Sequence, residues 1–260
     1  MEVQEAIGTR RTYRFLLPHK GVELAKIQKM LEAARRASFW GNVQALRAVV
    51  VDRATAREDV LASLSAPVAG FQIDRAPVVI VWYLDYAALD DQGDRLKELV
   101  NARVLGVDRE KALDTLDSFL IPFFQKVMPH IKASGLTEID CGQGIAQATL
   151  VAIDQGLGTA CLSTPNEEVI KKNMRLPDTA KVLLLMCVGY PAESREAGGQ
   201  RPRLPFEGIF HLNEYGNPFP CDEKVIEELK QARLLQEPAP LPEREAELHY
   251  LQKALDLPDF

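Results

Sequence analysis

The sequence predicts an α+β fold, a layer of strands and helices built around a buried central helix. Two continuous apolar runs, 76–84 and 181–190, are typical of buried strands. The stretch 138–158 is helical in pattern and apolar on nearly all sides, which indicates a helix at the centre of the molecule. Because strands interleave with helices and one helix is buried, the pattern favours an α+β layer over a doubly wound sheet.

The other elements follow in order along the chain. A short helix is expected over 2–11, an amphipathic helix over 22–37 and a strand over 45–52. Residues 93–133 carry no strand signal and indicate two helices, the second broken or kinked near Pro122.

The C-terminal third begins where the central helix ends, at Gly156 or Gly158. A capping-box pattern at 164–167 predicts a short helix, and GIFHL (208–212) predicts a strand. We place the main domain at 1–212 and a helical extension at 213–260, where two helical patterns flank the stiff linker EPAPLP.

Composition limits the classes of function. The chain has 260 residues, 47% of them hydrophobic, and a formal net charge of −6. The negative charge and the lack of a long basic run argue against a nucleic-acid partner. With no secretory segment and no apolar stretch of roughly 20 residues, we expect a cytoplasmic protein that does not bind a membrane.

The cysteines and histidines predict no metal site. The four cysteines are widely spaced and form neither a CxxC pair nor a Cys/His spacing that suits zinc or an iron–sulfur cluster. The four histidines are equally scattered, so no hydrolytic triad is indicated and no catalytic side chain is identified.

Three arginines stand close together in GTRRTYRF, residues 8–15. The spacing of Val3, Ile7 and Arg10 places Arg10 on the buried face of the first helix. A guanidinium that faces inward needs an anion, and carboxylate and phosphate match its donors. Arg10 and Arg14 together favour a bound anion, whereas Arg11 alone fits a solvated basic turn equally well.

No glycine-rich phosphate loop accompanies these arginines. GQGIAQ (142–147) follows no strand and lies inside a helix, where its glycines serve packing. Side chains must therefore hold a phosphate here. Arg201 and Arg203 supply a second basic pair, although such a pair taken alone is more often a solvated loop.

Five segments in this order resemble the FMN-dependent nitroreductase family: AIGTRRTYRF, LEAARRASFWGNVQ with AVVV, RAPVVIVWY, DCGQGIAQATLVAIDQGLGTACL, and VLLLMCVGYPAE with RPRLPFEGIFH. The resemblance covers roughly residues 3–212. It implies a homodimer with a central, mostly antiparallel sheet and FMN at the subunit interface.

The resemblance also assigns cofactor-binding residues. Arg10, Arg11, Thr12 and Arg14 match the motif that holds the FMN phosphate, ribityl chain and ring edge. Arg201 and Arg203 match the basic pair that closes on the phosphate. A second segment matches the part that the partner subunit contributes, with Gln44 beside it: Ser38, Phe39, Trp40, Asn42 and Gln44. A third matches the segment whose backbone N–H approaches flavin N5: Leu162, Ser163 and Thr164.

The chain departs from the family pattern at the predicted substrate face. Ser38 and Phe39, followed by Trp40, stand where the family usually has a proline–serine pair, and Ala45-Leu46 replaces a proline–tryptophan. Phe39 and Trp40 either line the active site or are interface core. Residues 93–133 are a candidate helical lid that presents Phe119, Phe123 and Phe124 to acceptors, unless these aromatics fill the core.

The implied function is an oxidoreductase in which NADH or NADPH reduces FMN at N5 and leaves, and an electron-poor acceptor then takes the electrons. Nitroaromatics, quinones and activated alkenes are candidate acceptors. Two alternatives stay open: a specialised member that reductively dehalogenates its substrate or fragments flavin, and a flavin-binding or sensing protein with little turnover. The tail, 213–260, is expected to reach the partner subunit or to pack on its own.

Overall fold

The computed structural model describes residues 1–257 except Pro67 and Ala69. Its strands are β1 (Leu46–Asp52), β2 (Val78–Asp85), β3 (Gly158–Leu162) and β4 (Ala180–Gly189). The helices of the first half are α1 (Val3–Thr9), α2 (Leu24–Ala34), α3 (Glu58–Ser63), α4 (Gly70–Arg75), α5 (Gln92–Asn101), α6 (Arg109–Thr115) and α7 (Ile121–Ala133). Those of the second half are α8 (Leu136–Asp154), α9 (Glu167–Met174), α10 (Glu223–Gln231) and α11 (Arg244–Ala254).

The four strands form one antiparallel sheet in the order β1-β2-β4-β3. In its middle Val81 of β2 pairs with Val49 of β1 on one side and with Leu185 of β4 on the other. The predicted α+β class is confirmed, as are the predicted strands at 45–52, 76–84 and 181–190. The edges of the sheet, β1 and β3, carry the two halves of the predicted site.

The central helix α8 is buried as expected and packs against α2. Gly144 permits that approach, because a Cβ there would lie 2.7 Å from Leu46 Cδ2 and 2.9 Å from the carbonyl oxygen of Ala34. The interpretation of GQGIAQ as packing is therefore confirmed at Gly144.

Every regular element between β2 and α8 is helical, as the sequence predicted for 93–133. The predicted break near Pro122 is a π-helical turn, Leu116–Leu120, immediately before α7. Proline has no N–H to donate to the preceding turn, which is why the helix widens at this point.

Two local predictions were wrong. The buried face of α1 is Ala6, Gly8 and Thr9, whereas Val3 and Ile7 are 68% and 48% exposed. Close packing against the chain after α10 selects this face, since a Cβ on Gly8 would lie 2.0 Å from the carbonyl oxygen of Arg233. In place of the predicted strand 208–212 there is a 3₁₀ turn, Phe206–Gly208, and one isolated bridge between His211 and Pro218.

The C-terminal extension contains both predicted helices, α10 and α11, separated by a non-helical linker. Leu251 of α11 is buried with Phe15 and Leu257 of the same chain. Packing on its own subunit, one of the two expected arrangements, is thus seen for α11; Pro258, Asp259 and Phe260 lie outside the described residues. No helix in the described part of the chain is long and apolar enough to cross a membrane.

Candidate active site

The predicted anion-binding residues meet at the β3 edge of the sheet. After α1 the chain runs beside β3, with Thr12 bridged to Thr159 and the Tyr13 N–H donating to the Thr159 carbonyl at 3.0 Å. The charges of Arg10 and Arg201 both contribute to the lowered pKa of Arg11, after burial, which is the main cause. Residues almost 200 positions apart in sequence are therefore electrostatic neighbours, as the two-part clamp requires.

Arg11, one of the residues that match the flavin-binding motif, makes its side-chain contacts within its own chain. It is 4% exposed, so the solvated turn is wrong. Its guanidinium donates to the carbonyls of Gly8 (2.5 Å) and Glu196 (3.1 Å) and to Gln236 Oε1 (3.2 Å). These bonds occupy most of its donors with neutral oxygens of its own chain. Arg11 therefore ties α1 to two distant loops.

The other four arginines of the predicted site have no carboxylate partner among the described residues. Within the described part of the chain, none of Arg10, Arg14, Arg201 and Arg203 forms an ion pair with a carboxylate. Arg201 donates to the carbonyl of Ala197 at 2.8 Å, and its pKa is lowered by burial and then by Arg14 and Arg244. Several like charges held together without a counter-ion form a site that an anion would stabilise.

The segment expected near flavin N5 lies at the same edge. Leu162 is the last residue of β3 and pairs with Leu185. Ser163 is exposed, and the Thr164 hydroxyl accepts a hydrogen bond from the Asn166 N–H at 3.1 Å. The strand brings this backbone beside the segment that carries Thr12.

The other half of the predicted site precedes β1, at the opposite edge. The Trp40 N–H donates to Asp140 Oδ2 at 2.7 Å, which fixes the loop 38–44 to the central helix. Gly41, Asn42 and Gln44 have φ values of 56°, 55° and 50°. Left-handed backbone is unfavourable for a side chain such as that of Gln44, and such conformations cluster at functional sites.

The two halves lie at opposite edges of the sheet. Three strand spacings of about 4.8 Å each separate β1 from β3, so the edges lie about 14 Å apart. Arg10 therefore belongs to one edge of the sheet and Asn42 to the other.

A pocket of about 440 Å³ opens beside the loop 38–44. Phe39 and Gln44, two of the predicted site residues, line it. The sequence did not indicate its other polar lining, which comes from α2, the sheet and α5: Arg35, Arg47, Trp82, Asp91 and Arg95. Only the strand register and the position of α5 bring these residues together, so no local pattern signals them.

The predicted substrate-facing aromatics form a continuous row. Trp40 packs edge-on against Phe124 with ring centroids 5.2 Å apart, and Phe124 contacts Phe123 at 5.6 Å. Phe119 stacks on Phe123 at 6.2 Å. Phe119 and Phe123 are 62% and 47% exposed, so these two rings do not fill the core of this chain. Phe124 is partly buried and packs against the cluster of Leu96, Val100 and Leu116, as the core alternative expects.

Comparison with known proteins identifies the family. The model of the nitroreductase family matches residues 7–190, well over half of the chain. The chain belongs to the nitroreductase family. A relative from Thermus thermophilus named NADH dehydrogenase is 32% identical over 184 residues, which is 70% of this chain and 82% of the relative.

Other relatives and solved structures agree with this membership. An NADPH-dependent oxidoreductase of Staphylococcus haemolyticus is 26% identical over 193 residues, 74% of this chain and 65% of its own length. An FMN complex from Exiguobacterium sibiricum superposes with a TM-score of 0.64 at 23% identity, covering 82% of this chain and 98% of that one. A nitroreductase-family protein of Streptococcus pneumoniae gives 0.66 at 21%, covering 82% and 100%.

Membership confirms several predictions made from the sequence. They are the family, the nitroreductase-like fold, FMN as cofactor, and the enzyme class of NAD(P)H oxidoreductases. The individual site residues and the homodimer stay predictions.

Proposed function

We propose that this nitroreductase-family enzyme uses NADH or NADPH to reduce an electron-poor small molecule through FMN bound between two copies of the chain. The separation of the two half-sites carries this proposal. Unpaired arginines lie at the β3 edge, and the strained loop with Asn42 and Gln44 lies at the β1 edge. A second copy of the chain supplies the missing half to each site.

The β3 edge fits the phosphate end of FMN. A phosphate dianion matches the paired donors of guanidinium groups, and Arg10, Arg14, Arg201 and Arg203 have no carboxylate partner among the described residues. The Thr12 hydroxyl lies between them along the chain and would serve the ribityl chain. Arg11 holds the end of α1 to the segments at Glu196 and Gln236.

Bound FMN would supply the electron chemistry, taking a hydride from the nicotinamide at N5 and passing electrons to the acceptor in a ping-pong sequence. The protein contributes a fixed backbone at Leu162, Ser163 and Thr164, whose N–H groups would stabilise charge on the ring without a titrating side chain. No catalytic side chain is required by this arrangement.

Exposed apolar surface supports the second copy. Val3 and Ile7 are exposed on one face of α1. The segment 203–222 presents a cluster of aromatic rings to solvent. Phe206 and Phe210 pack together at 4.8 Å, and Phe219 joins them at 6.2 Å from Phe206. Contiguous exposed apolar patches typically mark protein interfaces. This segment, which joins the main domain to the tail, is thus well suited to contact the partner.

The acceptor would bind between the flavin ring and the aromatic row. Phe39 and Trp40 stand near the strained loop, and Phe123 and Phe124 extend the apolar surface from α7. We propose a flat, electron-poor acceptor such as a nitroaromatic, a quinone or an activated alkene, because its ring or conjugated system would stack on these side chains.

Anaerobic stopped-flow spectroscopy tests the proposal. The purified protein should be yellow. NADH or NADPH should bleach its flavin absorbance at a rate at least as fast as kcat. Addition of a nitroaromatic, quinone or enone should restore the absorbance. Flavin that is bound but not bleached by either nicotinamide would instead indicate a binding or sensing protein. Bleaching with no reoxidation by any acceptor of the three classes would indicate a specialised reaction.

A further inference from the structure

A buried carboxylate lies within the arginine cluster. Glu193 has a side chain that is 0% exposed. Its Oε1 accepts hydrogen bonds from the backbone N–H groups of Arg14 (2.7 Å) and Phe15 (3.2 Å). Its Oε2 accepts from Arg244 Nη2 at 2.6 Å. The charge of Glu193 partly opposes the lowering of the Arg201 pKa, so the two side chains are near each other. They nevertheless form no ion pair.

Arg244 is held in place by the tail. It is the first residue of α11, and its Nη1 also donates to Glu247 Oε2 at 2.8 Å. The chain at Gly198, with a φ of 84°, leaves room for it, since a Cβ there would lie 2.9 Å from Arg244 Nε. The burial of Leu251 fixes the other end of the helix. The guanidinium therefore has one position, against Glu193.

This arrangement determines how the cluster is charged. An ionised carboxylate that is fully buried requires a cation, and Arg244, Arg14 and Arg201 are among the cations near Glu193. Because Arg244 forms the ion pair, the side chains of Arg14 and Arg201 are left without a carboxylate. Both Glu193 and Arg244 lie outside the part of the chain that matches the family model.

We propose that Arg244 is a positioning residue for FMN: it retains the Glu193 carboxylate, so that Arg14 and Arg201 stay available to the flavin phosphate. The inference rests on the proposed phosphate site at this edge. The C-terminal helix thereby tunes the affinity of a site to which it contributes no ligand contact. Loss of Arg244 frees Glu193 to pair with Arg201 or Arg14, and FMN must then compete with a carboxylate of the protein itself.

Flavin titration of the full chain, freed of flavin, tests the inference. The dissociation constants of FMN and of riboflavin, which lacks the phosphate, are measured by quenching of flavin fluorescence. In Arg244→Gln the dissociation constant of FMN should rise about tenfold, because Glu193 then takes one arginine away from the phosphate and that charge-assisted contact is lost. The dissociation constant of riboflavin should stay unchanged. Arg244→Lys keeps a cation beside Glu193 and should retain most of the preference for FMN.

A double variant separates positioning from a general loss of structure. In Glu193→Gln/Arg244→Gln the amide oxygen still accepts from the Arg14 and Phe15 N–H groups, but the charge of Glu193 is gone. Glu247, the other partner of Arg244, is still held by the Ser194 N–H and hydroxyl, so FMN affinity should recover. Arg233→Gln is the matched control, since Arg233 pairs with Glu5 at 2.7 Å elsewhere in the tail, and it should change neither constant.

The outcomes distinguish the two levels of the hypothesis. A wild-type protein that binds FMN no better than riboflavin would overturn the phosphate site itself and this inference with it. A wild-type preference that survives in Arg244→Gln would overturn the inference alone. So would a loss in Arg244→Gln that the double variant does not restore, or an equal loss of riboflavin binding.

Discussion

The Asp140 carboxylate on the central helix accepts a 2.7 Å hydrogen bond from the backbone N–H of Trp40. Asp140 is 7% exposed, so this contact connects the strained loop 38–44 to the most buried helix of the protein. The loop that would complete the partner's active site is thus positioned by the core of its own subunit.

Asp140→Ala should destabilise the fold and loosen this loop. Hydrogen bonds to charged groups contribute about 1.5–3 kcal/mol, and the Trp40 N–H would be left without its partner. We expect the free energy of unfolding in urea to fall by about that amount. Asp140→Asn retains an acceptor and should lose less. Gln143→Ala is the control, because it removes only the weak 3.4 Å contact to Asp140; an equal loss in that variant would contradict the assignment.

The arginines at the β3 edge should determine FMN affinity together. Arg10→Ala and Arg203→Ala each leave phosphate charge uncompensated, so each should weaken FMN binding by roughly 1.5–3 kcal/mol, read from equilibrium dialysis. Arg57→Ala removes an exposed arginine that pairs with Asp59 and should have no effect. Unchanged affinity in the Arg10/Arg203 double variant would rule out this clamp.

Much of the fold could be predicted from the sequence, because the elements concerned carry local signals. The run 76–84 is apolar throughout since both faces of β2 are covered, and the glycine pattern of 142–147 marks the helix on which α2 packs. The strand β3 was missed because its five residues, GTACL, are small and carry no alternation.

The candidate site was harder to predict, since its geometry depends on distant contacts. The guanidinium of Arg11 donates to the backbone carbonyl of Glu196 and to the side-chain oxygen of Gln236, which are 185 and 225 positions away in sequence. Val3 and Ile7 were expected to face the core because helical periodicity reports an apolar stripe and does not report what covers it. The basic lining of the pocket beside Phe39 likewise depends on strand register.

The buried thiol of Cys187 should make the protein less stable at alkaline pH. Burial raises its pKa to about 12, well above the 9.0 of a thiol exposed to water. The folded state therefore binds more protons than the unfolded state between these two values, so stability is full below pH 9 and is lost as pH rises towards 12. Each pH unit in this window should cost about 1.4 kcal/mol.

Cys187→Ala tests this by removing the titrating group. The variant is less stable at pH 7 because a buried side chain is truncated, but its unfolding free energy should decline less steeply than that of wild type above pH 9. Cys221→Ala, at an exposed position, should leave the slope unchanged. Parallel slopes for Cys187→Ala and wild type would show that the thiol does not contribute.

The exposed aromatics of α7 and of the π turn should select acceptors. Phe123→Ala and Phe119→Ala should change the ratio of kcat/KM between a nitroaromatic and a quinone, with flavin content and thermal stability close to wild type, because both rings are largely exposed. Phe124→Ala should in addition lower the melting temperature, since Phe124 packs against Trp40. Equal kcat/KM ratios in all three variants would show that this row does not reach the acceptor.

The last prediction concerns the contact between two copies of the chain. Phe206 and Phe210 are 41% and 50% exposed, pack on each other and belong to the segment 203–222, which makes few contacts with its own subunit. If this segment lies on a partner, Phe206→Glu/Phe210→Glu places two charges in an apolar interface, which is strongly unfavourable without counter-ions. We therefore expect the variant to be monomeric by light scattering.

Loss of the partner should also remove flavin, because Asn42 and Gln44 would no longer reach the site formed around Arg10 of the other chain. Tyr250→Glu is the matched control: Tyr250 is 71% exposed on α11, a helix that packs on its own subunit. That control should stay dimeric and yellow. A Phe206→Glu/Phe210→Glu protein that remains dimeric and fully loaded with FMN would assign the interface to another surface, with Val3 and Ile7 of α1 as the next to substitute. A monomer that retains FMN and turnover would contradict the composite site itself.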